Sequence, residues 1–351
     1  MATRSAPGSY YAEAMPPDSD PHDPGFDAAR QLLNAAATAA ASKAIRIDKG
    51  GDVRVGTASW TDPTMVARGV FYPDGASSAE ERLRYYATQF AVVEVDATYY
   101  ALPRKEQSTL WAERTPGDFV FDVKAHALMT GQPSEVKRLP KALREALPEK
   151  LKDKARIYGK DLPPELQDQL WTMFLEGVQP LREASKLEAV FLQFPRWVFP
   201  SNETRAVILD AKQRLGEILL TVEFRHGSWF NEKNAERTLR FLTENQVPYV
   251  IVDEPQGFKS SVPPVAAVTS PELAVFRFHG RRADTWEKPN IPPNERFRYL
   301  YDEDELADWA PRIAEAARAA KEVHALMNNC SGNYGTTNAI QLAELLRQYQ
   351  A

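Results

Sequence analysis

The chain has 351 residues, with 43 Lys and Arg against 48 Asp and Glu, a formal net charge of −5 and 43% apolar side chains. Its one cysteine, Cys330, excludes a disulfide framework and a cysteine-rich metal site, and the acidic balance argues against wholesale coating of nucleic acid. No apolar run approaches the roughly 20 residues of a membrane span, and no signal-peptide pattern opens the chain. We therefore expect a soluble, cytoplasmic, globular protein.

The first 50 residues are predicted to form a flexible extension. Five prolines and little apolar mass in residues 1–25 predict a disordered leader. Asp27 then offers an N-cap to an alanine-rich stretch, which predicts a peripheral helix over 28–43. The folded domain is predicted to span 51–351.

From Val53 onward, short β-branched segments alternate with helical patterns, which is typical of βα units around a parallel sheet. No glycine-rich phosphate-binding signature follows a strand, which disfavours a dinucleotide-binding sheet. The predicted strands are Val53–Trp60, Val92–Tyr100, Phe119–His126, Leu187–Pro195, Ile218–His226, Tyr249–Glu254, Leu273–Arg281 and Val323–Asn329. Eight strands close a (β/α)8 barrel, so the predicted fold is α/β, a single TIM-barrel-like domain.

The helical patterns between and after these strands complete the prediction. They cover Ala79–Phe90, Glu106–Arg114, Glu203–Leu215, Ala235–Asn245, Trp309–Lys321 and Asn338–Tyr349. One connection, 127–186, is about twice the usual length and follows the third strand. Its segment 137–160 holds nine Lys and Arg against three acids. We predict a basic helical insertion at the barrel mouth, either a solvated helical face or a lid for an anionic ligand.

Polar side chains recur at alternate positions of several predicted strands. Val93 and Val95 share one face of the second strand, so Glu94 and Asp96 share the other. The apolar set belongs against the helices, which predicts that the polar set fills the barrel interior, where Val, Ile and Leu are usual. The predicted interior residues are Glu94, Asp96, Thr98, Asp122, Lys124, His126, Gln193, Thr221, Glu223, Arg225, Asp253, Arg277, His279 and Asn328.

The leading hypothesis is an enzyme that acts on a small anionic substrate, such as a phosphorylated or carboxylated sugar or nucleotide piece. Lys124, Arg225 and Arg281 would bind the anion, since guanidinium groups donate bidentate hydrogen bonds. His126 or His279 would act as general acid or base. A carboxylate would hold the histidine in one tautomer and complete the catalytic set, and the candidates are Glu223 and Asp253.

Two other functional schemes stay open. For every one of these residues, the alternative to a functional role is a purely structural network of ion pairs. No cofactor is predicted, but carboxylate and imidazole suit magnesium, manganese or zinc in a hydrolase or isomerase. The cations nearby weaken that scheme, because they compete for the same oxygens. In the third scheme the protein is a non-catalytic module that binds a ligand, or nucleic acid through the segment 137–160. The alternative metal ligands are Glu94, Glu223, Asp253 and His279.

Further residues at the strand ends are predicted to contact the substrate. Trp60 and Tyr99 each terminate a predicted strand, and such rings stack sugars or bases. The turn 329–333 follows the last strand, where barrels often present backbone amides to phosphate, and the next helix is predicted to start near Thr337 or Asn338. The complete predicted substrate-binding set is Lys124, Arg225, Arg281, Glu94, Asp96, Trp60, Tyr99, Gln193 and Asn328.

Nine separated motifs together resemble the YecE-like family, a domain of unknown function (the seventy-second in its series). They occur in the family's order over residues 53–349. The motifs are VGTASW (55–60), FYP (71–73), VEVDATYYALP (93–103), Trp111 with TPGDFVFDVKAH (115–126), LQFP (192–195), VEFRHGSW (222–229), VDEP (252–255), FRFHGR (276–281) and MNNCSGNYGTTNA (327–339).

The resemblance implies a TIM-barrel-like fold and no particular reaction. This chain departs from the family pattern at two places. Tyr99 stands where phenylalanine is usual, and Thr130 is followed by Gly131 where the family has a histidine. Either the role of that histidine is absent here, or His126 substitutes for it.

Overall fold

The computed structural model describes residues 24–32, 41–67 and 70–351. The predicted leader lies outside the described residues up to residue 23. The predicted helix over 28–43 begins earlier than expected, as α1, Pro24–Gln31, and its stretch 33–40 lies outside the described residues. Ala29 of α1 is fully buried and packs with Val70 and Tyr334. This helix therefore docks on the folded domain.

Eight parallel strands form the centre of the molecule, and three short strands lie outside the barrel path. The strands are β1 Ile45–Arg46, β2 Asp52–Thr57, β3 Val92–Val95, β4 Val120–Lys124, β5 Pro133–Glu135, β6 Arg156–Tyr158, β7 Leu187–Gln193, β8 Leu219–Glu223, β9 Val250–Asp253, β10 Leu273–Phe278 and β11 Glu322–Met327. The order around the sheet is β8-β7-β4-β3-β2-β11-β10-β9, and β1 pairs antiparallel with β2.

A bridge between the two ends of this sheet nearly closes the barrel. Val222 of β8 pairs with Tyr249, just before β9, and its amide donates to the carbonyl of Pro248 at 3.0 Å. All eight predicted strands are present, which confirms the TIM-barrel-like fold. Several are shorter than predicted, because the chain turns away soon after the last ladder pair. The second strand ends at Val95, and Ala97–Tyr99 forms a 3-10 turn.

Helices surround the barrel, and their ends follow local capping signals. Ser78 caps α2 (Ala79–Gln89) in a capping box with Glu81, and Asp302 does the same for α10 (Glu303–Ala307) with Glu305. Gly216, at φ +62°, ends α7 (Asn202–Leu215) in a conformation that glycine adopts without strain. The helices after α1 are α2 Ala79–Gln89, α3 Lys105–Glu113, α4 Lys141–Ala146, α5 Glu149–Lys152, α6 Pro164–Glu183, α7 Asn202–Leu215, α8 Ala235–Glu244, α9 Pro293–Arg296, α10 Glu303–Ala307, α11 Ala310–Ala319 and α12 Tyr334–Leu346.

The long connection between β4 and β7 contains its own hairpin. Strands β5 and β6 pair antiparallel, helices α4 and α5 lie between them, and the 20-residue α6 returns the chain to the barrel. Leu143, Leu151 and Ile157 of this segment are buried, which fixes it against the domain. Within the described residues, no helix has the length and apolarity to cross a bilayer.

Candidate functional site

A small pocket opens at the carboxyl ends of the barrel strands, where barrel enzymes carry their chemistry. Its volume is about 220 Å³, below the roughly 300 to 1,000 Å³ of sites for drug-sized ligands. The pocket therefore suits a small molecule. Six predicted site residues are in its lining: Asp96, Tyr99, Lys124, Gln193, Arg225 and Asn328. The other lining residues are Ala58, Ser59, Asp62, Tyr100, Gln132, Pro293, Asn294, Phe297 and Cys330.

Beneath the pocket, Arg277 holds two buried carboxylates in the barrel interior. Its Nε and Nη2 lie 2.8 and 3.0 Å from the two carboxylate oxygens of Glu94, and its Nη1 donates to Glu223. Gln193 and Asn328 accept from the same guanidinium at 3.3 Å. Arg277 is 1% exposed. The polar residues of β3, β8 and β10 face inward as predicted. With Gln193 and Asn328 they form a continuous polar floor under the pocket.

Arg225 lies one level above, at the wall of the pocket. Its Nη1 lies 3.0 Å from Glu223, 3.4 Å from Glu254 and 2.7 Å from Nε2 of His279. In the described part of the chain, its Nε and Nη2 make no hydrogen bond. These two groups are therefore available to an anion in the pocket, while Nη1 fixes the side chain.

The predicted acid–base pair Glu223 and His279 lies under Arg225 and outside the pocket lining. Burial alone would raise the pKa of Glu223, but Arg277, His279 and Arg225 hold this pKa well below its ordinary value. Burial and the neighbouring Arg225 lower the pKa of His279 to about 3. At neutral pH these groups are a carboxylate and a neutral imidazole, which suits them to positioning Arg225.

Asp96 is a pocket carboxyl with a strongly raised pKa. Burial raises the pKa of Asp96 to about 7, and Lys124 counteracts part of that effect. A group with this pKa is present in both protonation states near pH 7, which is what general acid–base catalysis needs. Asp96 was predicted to bind the substrate and not to act as acid or base, because its burial is not visible in the sequence.

Lys124 and Tyr99 form the opposite wall of the pocket. The ammonium of Lys124 lies 5.3 Å from the centre of the Tyr99 ring, and the Tyr99 hydroxyl bonds Gln132. Burial, and then Arg277, lower the pKa of Lys124, while Glu94, Glu223 and Asp96 raise it. Within the described chain, the Lys124 ammonium forms no ion pair. The lysine is therefore held by packing and by charges at a distance.

The prediction that Asp253 faces the barrel interior is wrong, because its side chain and that of Arg281, which was predicted to bind the anion, both face the outer helices. Asp253 accepts from Arg281 Nη2 at 2.7 Å, from the Tyr301 hydroxyl at 2.8 Å and from Trp309 Nε1 at 2.6 Å. The inward residue of β9 is its neighbour Glu254, which approaches Arg225 and accepts from the Val262 amide at 2.7 Å. The predicted face of this strand was wrong by one residue, since every earlier residue of β9 is apolar and gives no alternation.

His126 and Trp60 lie away from the pocket lining. The Nδ1 of His126 accepts from the Leu128 amide at 3.3 Å, so the ring caps a short turn, and burial lowers its pKa to about 4. Trp60 is 7% exposed and packs edge-on against Trp111, with 5.7 Å between ring centres. Both side chains have structural partners that the sequence did not show.

The turn 329–333 differs from the predicted phosphate cradle. Helix α12 starts at Tyr334, three to four residues before the predicted start at Thr337 or Asn338. The Gly332 amide donates to Thr64 Oγ1 at 2.7 Å, and the Ser331 amide donates to the Asn329 carbonyl at 3.0 Å. These two amides are used within the protein and are not available to a ligand.

A second polar cluster lies at the opposite end of the barrel interior, where Asp122 faces inward as predicted and its partner His324 was not predicted. The Nδ1 of His324 lies 2.7 Å from Asp122, and both side chains are fully buried. Its Nε2 lies 3.6 Å from Glu322, which also pairs with Arg54 at 2.6 Å. The signal was present, because the alternation that places Asn328 inward also places His324 inward.

The four residues of the alternative metal set do not converge, because Asp253 faces outward and Arg277 engages both glutamates. In the ranges that the structure describes, no three His, Cys, Asp or Glu side chains are arranged to hold a metal ion.

The basic insertion forms a separate groove of about 660 Å³. Glu135 is the acidic residue of its lining, and it pairs with Lys137 at 3.4 Å and Arg156 at 3.8 Å. Arg144 donates to the Lys137 carbonyl at 3.1 Å and, among the described residues, pairs with no acid. The cations of the lining are Lys137, Arg144, Lys152, Lys154 and Arg156.

The fold and site define a (β/α)8-type protein with an ionisable barrel interior. The profile of the family described as "Protein of unknown function DUF72" matches residues 54–351. The chain belongs to this DUF72 family, which includes the YecE-like proteins that its motifs resemble. It is similar to the UPF0759 protein YunF of Bacillus subtilis, with 30% identity over 297 residues, 84% of this chain and 94% of that protein.

Solved structures of the same family agree with this assignment. A DUF72 family protein of Enterococcus faecalis has a TM-score of 0.67 and 29% identity, covering 84% of this chain and 95% of that one. A DUF72 family protein of Thermotoga maritima has a TM-score of 0.66 and 28% identity, covering 84% and 98%.

Proposed function

We propose that this protein is an enzyme that acts on a small anionic substrate bound at the mouth of the barrel. The observation that carries the proposal is the presence of two cations, Lys124 and Arg225, in one pocket with Asp96, a carboxyl whose pKa burial raises to about 7. Phosphate or carboxylate would contact the free edge of the Arg225 guanidinium, and amides would orient the rest of the substrate. The amide side chains in the lining are Gln132, Gln193, Asn294 and Asn328.

In this proposal the two levels of the interior have different tasks. Glu223 and His279 position Arg225, and Arg277 pairs with both carboxylates of the floor. Asp96 exchanges a proton with the substrate, since an acid or base is most effective when its pKa is near the working pH. This division moves the acid–base role from the predicted histidines to an aspartate at the pocket wall.

Anion binding is tested by thermal unfolding in the presence of inorganic phosphate, sulfate and sugar phosphates. A ligand at about 100 times its Kd stabilises the folded state by about 2.7 kcal/mol, so Tm rises with ligand concentration. We expect this rise in the wild type and its loss in Arg225→Ala.

The matched control is Arg318→Ala, which removes an exposed arginine of α11 that pairs only with Glu315 in the described chain. It should keep the full rise in Tm. No rise in the wild type, or an equal rise in Arg225→Ala, would contradict anion binding at this pocket.

The groove of the basic insertion supports a second candidate function, the binding of single-stranded nucleic acid. Five cations surround this groove, and Glu135 with Glu149, which pairs with Lys152, compensates only part of their charge. Such a surface neutralises phosphates, and the displaced counterions make affinity fall with salt. The partner would bind by its backbone charge and without sequence preference.

This second function predicts a steep salt dependence for a labelled single-stranded oligonucleotide. With three to five phosphate contacts, the slope of log K against log salt should be about −2 to −3.5. Arg144→Glu/Lys154→Glu should weaken binding at least about tenfold, since two contacts are reversed in sign. The control Arg318→Glu/Lys321→Glu changes the net charge equally, far from the groove in sequence. A flat salt response would rule this function out.

A further inference from the structure

We infer that Lys124 is a nucleophile that forms a Schiff base with a small carbonyl compound whose phosphate or carboxylate group is bound by Arg225. This inference rests on the proposed function, because it uses the same pocket and the same anion contact. It adds the reactive group and narrows the substrate class to anionic aldehydes and ketones.

The placement of Lys124 supports this role. The residue ends β4, so its side chain starts at the carboxyl edge of the barrel and reaches the pocket lining. Its ammonium forms no ion pair within the described residues, and the Tyr99 ring covers one side at 5.3 Å. A lysine kept only for structure in an interior would be expected to have its ammonium satisfied by hydrogen-bond acceptors or a carboxylate.

Lys186 shows what a structural lysine looks like in this protein. It is 6% exposed, and its ammonium donates to the carbonyls of Ala112 and Thr115 and to the Thr115 hydroxyl, at 2.6, 2.7 and 3.0 Å. All three of its protons are used. Among the residues that the structure describes, the Lys124 ammonium has no such set of acceptors, so its amine is available to react.

The environment of Lys124 also favours the neutral amine that attacks carbonyls. Burial, followed by Arg277, lowers its pKa, and the acids Glu94, Glu223 and Asp96 only partly restore it. Desolvation and a neighbouring cation are the two means by which enzymes activate a lysine. Each unit of pKa lowering raises the neutral fraction about tenfold at a pH below the pKa.

The step balances with groups in the pocket. The Lys124 nitrogen bonds to the carbonyl carbon, and the carbonyl oxygen becomes a hydroxyl. Both protons of the neutral amine end on this oxygen, either directly or by relay through Asp96. The oxygen then leaves as water. The product is an imine between Lys124 and the substrate carbon, with one water released and no oxidant or reductant consumed.

The test is reductive trapping of the full chain with pyruvate or dihydroxyacetone phosphate and sodium borohydride. Borohydride delivers hydride to the imine carbon, which leaves a stable secondary amine that intact mass and peptide mapping locate. We expect one adduct per chain, on Lys124, formed at least roughly tenfold faster at neutral pH than on any exposed lysine. The two probes distinguish a carboxylate from a phosphate substrate.

Two variants complete the test. Lys124→Met should abolish the adduct, and Lys186→Arg should keep it. Peptide mapping of the wild type decides the matter even where a variant unfolds. Anion-dependent stabilisation without an adduct on Lys124, or an adduct spread evenly over exposed lysines, would overturn the Schiff base and leave the proposed function standing. Absence of both stabilisation and adduct would overturn both.

Discussion

Arg277→Met should destabilise the protein by about 3–5 kcal/mol, because it leaves two buried carboxylates without their shared cation. Glu94 and Glu223 are 0% and 1% exposed, so neither can turn to solvent without opening the barrel. Methionine fills much of the arginine volume, which keeps the loss mainly electrostatic. Urea unfolding with linear extrapolation measures the difference.

A compensated variant separates this charge effect from simple loss of packing. Arg277→Met/Glu94→Gln/Glu223→Gln removes the cation and both anions together, and it should recover at least about half of the lost stability. A cost below about 1 kcal/mol for Arg277→Met alone would show that the interior is wet enough to solvate the glutamates. Equal instability of the single and triple variants would show that hydrogen-bond geometry, and not charge, dominates.

Unfolding free energy should fall steeply between about pH 7.5 and about pH 9.5 because of His324. Asp122 and Glu322 outweigh burial and raise the pKa of His324 to about 10, whereas an unfolded histidine titrates near 6.5. The stabilisation is complete below pH 6.5 and is lost as pH rises towards 10. In this window the folded state holds one extra proton, so stability decreases by about 1.4 kcal/mol per pH unit.

The neutral pair His324→Gln/Asp122→Asn is the control for this slope, because other groups also titrate in the window. Burial raises the pKa of Glu254 to about 8, for example. The double variant should unfold with a pH slope that is shallower by about 1.4 kcal/mol per unit. Parallel curves for wild type and variant would mean that His324 is neutral in the folded protein.

The sequence predicts the barrel because its strands are short, apolar and separated by helical patterns. It also predicts the polar interior wherever alternation is clear: Glu94 between Val93 and Val95, and Glu223 between Val222 and Phe224, both face inward as expected. Here the two faces of one strand differ in polarity, so the pattern itself determines orientation.

The same reasoning fails where the pattern is uniform or where the contact is distant in sequence. In β9 every residue before Asp253 is apolar, so the choice between Asp253 and Glu254 depends on Tyr301 and Trp309, which lie about 50 residues later in the chain. The raised pKa of Asp96 likewise depends on its environment in the folded chain, which residue alternation does not reveal. Sequence patterns therefore predict secondary-structure elements and which face of a strand a residue occupies. They do not predict how deeply a carboxyl is buried or which residues it contacts.

The Arg277 guanidinium at the centre of the barrel also limits which substitutions this chain can accept during evolution. Replacement of Arg277, Glu94 or Glu223 alone strands a charge in a medium that cannot screen it. A substitution at any one of these three positions is therefore destabilising until the other two positions also change. We expect these positions to be inherited as a block, so that descendants of the chain either retain the whole trio or exchange it for a neutral one.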